Sequence, residues 1–85
     1  MKLLAVERTL TLFDRKNSDL VSEYPIKLEV TDLKEIVKQR KGDELLYLPY
    51  ILNQSQAKSL IKRLGIELLV ETKTYTYVLE CNGIY

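Results

Sequence analysis

Histidine is missing from this sequence altogether. Its absence removes every Ser-His, Cys-His and His-metal arrangement, because each needs an imidazole as base or ligand. Cysteine is almost as scarce: Cys81 is the single thiol, so neither an intramolecular disulfide nor a Cys-rich metal site can form. The three glycines, Gly42, Gly65 and Gly83, stand far apart, and none opens a G-x-x-x-x-G-K phosphate loop. An excess of one charge is lacking too, since thirteen Lys and Arg against twelve Asp and Glu leave a net +1. A dedicated nucleic-acid binder carries a marked basic excess and a nucleic-acid mimic a marked acidic one. Neither shows in the totals. The apolar run Leu3-Leu4-Ala5-Val6 ends at Glu7, short of a signal-peptide core, and nothing approaches the roughly 20 residues of a membrane span. The expectation is a cytosolic protein with no membrane partner, no cofactor and no bound metal.

What is present is the composition of an ordinary globular chain, 46% apolar and 29% charged over 85 residues. That length supports one domain, 1–85, with one core that buries roughly two-thirds of the unfolded surface. No repeat, low-complexity stretch or Pro/Gly/Ser-rich linker divides it.

Strand chemistry comes first. From Val6 to Asp14, Thr9 and Thr11 alternate with Leu10 and Leu12, and from Leu20 to Leu28 the residues Tyr24, Ile26 and Leu28 share a side. A polar turn at Arg15-Lys16-Asn17-Ser18 joins them as a hairpin, and Pro25, with no N–H to donate, marks the second strand as an edge or a bulge. The period then changes. Asp32 with Glu35 fits a capping box, Leu33, Ile36 and Val37 form a stripe, and Gly42 is a natural stop, which predicts a first helix. The segment from Asp43 to Leu52 fits no period and reads as a loop or short extended stretch. A second helix is predicted from Asn53, capped with Gln56, through Ala57, Leu60, Ile61 and Leu64 to Gly65. Beyond it, Ile66, Leu68 and Val70 alternate with Glu67, Leu69 and Glu71, as a strand or as an extension of the helix. Tyr75, Tyr77, Leu79 and Cys81 share one face of a last strand. The fold class is α+β: a three- or four-stranded antiparallel sheet with two helices on one face, in the order β-β-α-α-β or β-β-α-α-β-β.

Few groups are candidates for chemistry. Cys81 could act as a nucleophile only if a cation lowered its pKa, and its place after Tyr77 and Leu79 favours a buried, inert thiol. Asp43-Glu44 read as loop charges rather than an acid-base pair. The basic residues Lys34, Lys38, Arg40 and Lys41 read chiefly as a solvated helix end, with nucleic-acid binding as the alternative. No catalytic residue emerges, and the expectation is a protein that is not an enzyme.

Six of the seven aromatic residues are tyrosine, and two of them, Tyr47 and Tyr50, lie in the aperiodic segment beside Asp43 and Glu44. Two readings stand. In one, Asp43, Glu44, Tyr47 and Tyr50 bind a partner, the rings as anchors and the carboxylates steering a basic surface. In the other, Leu45, Tyr47, Pro49 and Ile51 lid the core beneath a loop. Substituting Asp43, Glu44, Tyr47 and Tyr50 together separates them: the first expects lost binding in a folded protein, the second expects unfolding.

The chain also resembles short bacterial proteins related to immunity proteins of polymorphic or contact-dependent growth-inhibition toxin systems. The resemblance is carried by Leu12-Phe13-Asp14, Leu20-Val21, Glu23-Tyr24, Leu45, Tyr47, Pro49-Tyr50-Ile51-Leu52, Gln56-Ala57 and Tyr75-Thr76-Tyr77-Val78-Leu79-Glu80. It implies a cytosolic inhibitor whose partner is a cognate toxin protein, with no catalytic residues of its own. Two alternatives sit beside it: a nucleic-acid-binding or regulatory module using the basic residues at 34–41, and a structural domain that forms a homodimer through an exposed strand.

Overall fold

The computed structural model describes residues 5–84, so Leu3 and Leu4 of the N-terminal apolar run lie outside it. Alternation of Thr with Leu gives the first segment a dry side and a wet side, and it forms β1 (Ala5–Asp14). The loop 15–19 returns the chain as β2 (Leu20–Ile26). Local polar groups shape that loop: the Asp14 carboxylate accepts the Lys16 N–H at 2.8 Å, and the Asn17 side chain accepts the Asp19 N–H at 3.0 Å. β2 pairs with β1 alone, so Pro25 sits on an edge strand, where its missing donor costs least.

The next element, α1 (Val30–Lys34), is shorter than the sequence predicts. Its N-cap is Glu29, with no side-chain cap bond, and the expected box of Asp32 with Glu35 does not form. Both carboxylates instead face Arg63, 2.7 Å from Glu35 and 3.6 Å from Asp32. Leu33 and Val37 still reach the core. A short extended run, β3 (Tyr50–Leu52), follows the loop, and α2 (Gln54–Leu64) comes directly after it.

α2 forms as its sequence dictates. Asn53 accepts the Gln56 N–H at 2.8 Å while Gln56 accepts the Asn53 N–H at 2.9 Å, and Gly65 closes the helix in the left-handed region at φ 69°. Replacing Asn53 with alanine leaves the Gln56 N–H without its acceptor, and is expected to cost about 1 kcal/mol in a denaturant melt. An unchanged midpoint would mean that water replaces the cap without loss.

The last strand, β4 (Tyr75–Ile84), runs antiparallel to β1 over its whole length, with Ala5 opposite Ile84 and Asp14 opposite Tyr75. On its other side β4 pairs with β3, giving one antiparallel sheet in the order β2-β1-β4-β3. The register brings Leu10 and Tyr50 beside Leu79, and Leu12 and Leu52 beside Tyr77. Leu33, Ala57, Leu60 and Ile61 of the helices join these in one buried cluster, so both helices lie on one face. The α+β antiparallel fold stands.

The fourth strand, however, is Tyr50–Leu52 rather than 66–71, and the order is β-β-α-β-α-β. Residues 66–71 do alternate as expected, with Ile66, Leu68 and Val70 half-buried against the core and Leu69 exposed. What they lack is a strand neighbour. Their backbone is instead satisfied by the Tyr77 hydroxyl, which accepts the Glu71 N–H at 2.9 Å and donates to the Leu69 carbonyl at 3.1 Å. Tyr77→Phe keeps the ring but strands both groups, and is expected to destabilise by about 1–2 kcal/mol. Hydrogen exchange should show the Glu71 amide losing protection; a protected Glu71 would contradict this account. Among the described residues no helix is long and apolar enough to cross a membrane.

Candidate functional site

The stretch between α1 and β3 contains the residues that the sequence singles out, and it is an ordered structure rather than a slack connection. Gly42 adopts φ 84° at the third position of a turn closed by the Asp43 N–H on the Arg40 carbonyl at 3.0 Å. A type II turn requires that left-handed backbone, which is why glycine stands here and not, as expected, at the end of a helix. A second turn follows, closed by the Leu46 N–H on the Asp43 carbonyl at 3.1 Å. Leu46 itself sits at φ 55°, a conformation that costs a branched residue of order 1 kcal/mol. Complete burial of its side chain in the core offsets that cost.

Asp43 fixes this arrangement. Its carboxylate accepts the Tyr47 N–H at 2.7 Å, the Leu48 N–H at 3.2 Å and the Tyr50 hydroxyl at 2.5 Å. The Tyr50 hydroxyl in turn accepts the Arg40 N–H at 3.1 Å, and the Arg40 guanidinium lies 4.7 Å from the Tyr50 ring centroid. Burial works to raise the Asp43 pKa, but the donors Tyr50, Tyr47 and Leu48, with the Arg40 charge, outweigh it and hold the carboxyl below its ordinary value. Burial raises the Tyr50 phenol, reinforced by donation to the Asp43 carboxylate, so the shared proton stays on tyrosine.

The four residues put forward as partner contacts therefore divide. Asp43 and Tyr50 are each only 6% exposed, and they cannot present their side chains to an incoming surface. They hold the loop from beneath, because a carboxylate and a phenol that bond three backbone N–H groups and each other are fully engaged. Glu44 and Tyr47 face outward. The structure adds three residues that sequence reading left as lid material or passed over: Leu45 (50% exposed), Leu48 (45%) and Ile51 (69%), beside Tyr47 at 43%. Their exposure had no signal in the sequence, since nothing in L-L-Y-L-P-Y-I-L distinguishes the inward Leu46 and Tyr50 from their neighbours. Leu45 is further held by its carbonyl, which accepts the Arg8 guanidinium from β1 at 2.6 Å; the same guanidinium lies 5.9 Å from the Tyr47 ring centroid.

The remaining candidates lie elsewhere or are occupied. Arg40 is stacked on Tyr50, and Lys34, Lys38 and Lys41 are exposed without a common helical face, because α1 ends at Lys34. Cys81 is half-buried opposite Arg8; burial pushes its thiol up more than the Arg8 charge brings it down, so it is protonated at neutral pH. Among the described residues no group of three or more Cys, Asp or Glu side chains is arranged to hold a metal ion.

Residues 7–80 match a protein family described as Domain of unknown function (DUF7683). No curated protein matches the chain, and no solved structure does either.

Proposed function

Taking as premise that the chain belongs to the DUF7683 family, we propose that it is a cytosolic immunity protein, which neutralises a cognate bacterial toxin domain by binding it and catalyses nothing itself. The observation that carries the binding half is the loop at 44–48. Leu45, Tyr47 and Leu48 project apolar surface within four residues of one another, where a monomeric protein gains nothing by exposing it. The Asp43–Tyr50 network fixes the backbone that presents them, so little conformational entropy remains to be lost on association. An aromatic ring flanked by leucines and a peripheral carboxylate, Glu44, has the make-up of an interface centre with a charged rim. The toxin as partner rests on the family resemblance drawn from Leu12-Phe13-Asp14 onward.

The test is co-expression with the product of the adjacent gene, followed by pull-down and by deletion of this chain from the host. Co-purification, with growth arrest of the deletion strain that complementation relieves, is the expected result. A neighbour that does not bind, in a deletion strain that grows normally, would sink the proposal.

A further inference from the structure

The sheet has a second face, and its chemistry differs from everything around it. Both helices cover the side carrying Leu10, Leu12, Tyr77 and Leu79. By the strand register, the opposite side carries Glu7, Thr9, Thr11 and Phe13 of β1, Glu23 and Pro25 of β2, Thr76, Val78, Glu80 and Asn82 of β4, and Ile51 of β3. Thr9, Thr11 and Val78 are buried, although none of them belongs to the core cluster under the helices. The two hydroxyls bond each other at 2.9 Å. The centre of this face is thus made of small β-branched side chains, with Phe13 and Pro25 beside it on β1 and β2 and the exposed Ile51 at the β3 edge.

Charge on this face has one sign. Its ionisable residues are Glu7, Glu23 and Glu80; no Lys or Arg occupies a register position there. Glu7 lies opposite Asn82 and Glu80 opposite Thr9, which makes the two carboxylates diagonal neighbours on adjacent strands. Among the described residues none of the three pairs with a cation, since the salt bridges are those of Arg63 with Asp32 and Glu35. Seven of the thirteen Lys and Arg residues but only four of the twelve Asp and Glu fall within 30–65, the span that holds both helices. A protein of net charge +1 is thus polarised across its sheet. Like charges gathered on a flat floor repel one another in the free protein, and a cationic surface placed against them relieves that repulsion.

We infer that this uncovered sheet face is a docking surface for a protein patch rich in lysine and arginine, with Glu7, Glu23 and Glu80 as the steering charges and Phe13 and Ile51 as apolar contacts. The inference goes beyond the loop at 44–48 and does not require the partner to be a toxin.

The test uses the whole chain, isotope-labelled, titrated with a ten-residue lysine peptide while backbone amides are followed by NMR. Shifts should gather on Thr9, Thr11, Glu23, Val78 and Glu80. They should weaken steeply between about 0.05 and 0.5 M salt, and should lose about tenfold in affinity in the triple variant E7Q/E23Q/E80Q. The triple variant should melt no lower than the parent, because the substitution removes repulsion. Shifts confined to 43–48, shifts absent altogether, or an unchanged affinity in the folded triple variant would each overturn the inference. A short DNA duplex that shifted the sheet-face amides would do the same, whereas a duplex that shifts only residues in 30–65 would confirm the polarity.

Discussion

Replacing Asp43 by alanine is expected to destabilise the protein by about 3 kcal/mol and to lower its melting midpoint by roughly 15 °C. The size follows from how many groups one carboxylate serves. Its removal leaves the Tyr47 N–H, the Leu48 N–H and the buried Tyr50 hydroxyl without acceptors, and releases the loop that seats Leu46 in the core. Each stranded donor costs on the order of 1 kcal/mol, more where a charged acceptor is lost. Tyr50→Phe removes only the hydroxyl and should cost about 1–2 kcal/mol, with the double variant less destabilised than the sum, because the two groups act on each other. The effect is also pH-dependent. Asp43 titrates below its unfolded-state value, so its contribution is complete above about pH 4 and is lost as pH falls through the lower folded value. Parent and Asp43→Ala should therefore converge in acid and differ most near neutrality. Circular dichroism melts at pH 3 and pH 7 decide it; an alanine variant within 2 °C or so of the parent at pH 7 would refute the role given to Asp43.

The outward side of the same loop should behave in the opposite way. The pair Leu45→Ser and Tyr47→Ser removes half-exposed apolar surface that lies outside the core cluster, at the cost of the long contact of the Tyr47 ring with the Arg8 guanidinium. Stability should change by no more than about 0.5 kcal/mol, while affinity for the partner falls about a hundredfold, the loss of one central aromatic anchor and its neighbour. Isothermal titration against the captured partner, with melts as control, reads both quantities. Full-strength binding by a folded double variant would remove the loop from the interface. The combined substitution of Asp43, Glu44, Tyr47 and Tyr50 no longer separates the two sequence readings, because it mixes buried and exposed groups: Asp43 and Tyr50 fasten the loop from within, whereas Glu44 and Tyr47 are exposed, as are the Leu45, Pro49 and Ile51 expected beside Tyr47 as a lid.

The contrast shows where local sequence carries structural information and where it stops. α2 was legible to its ends, since Asn53, Gln56 and Gly65 act on backbone groups within four residues of themselves. The hairpin and the Tyr77/Leu79 face were legible for the same reason: a period of two is a local property. What escaped depends on distant partners. The helix predicted to reach Gly42 stops at Lys34, its would-be capping residues drawn to Arg63, 28 residues beyond Glu35. Residues 66–71 have strand periodicity, but the free edge of β4 is filled by Tyr50–Leu52, and periodicity cannot say which of two segments takes an edge. Within the loop, the choice of Leu46 rather than Leu45 for the core is made by one left-handed residue, a backbone event with no compositional mark.

The pairing of β1 with β4 has a consequence in time. These two strands form the centre of the sheet, yet they join residue 5 to residue 84. Closing so long a loop must precede the contacts that reward it, which slows folding relative to a fold built from neighbouring segments. During synthesis the hairpin and α2 can form early, but the core they would cover has no middle until residues 75–84 leave the ribosome. The sheet assembles last at its centre, and whatever the protein binds through loop or sheet face, it binds only after residues 75–84 have joined β1.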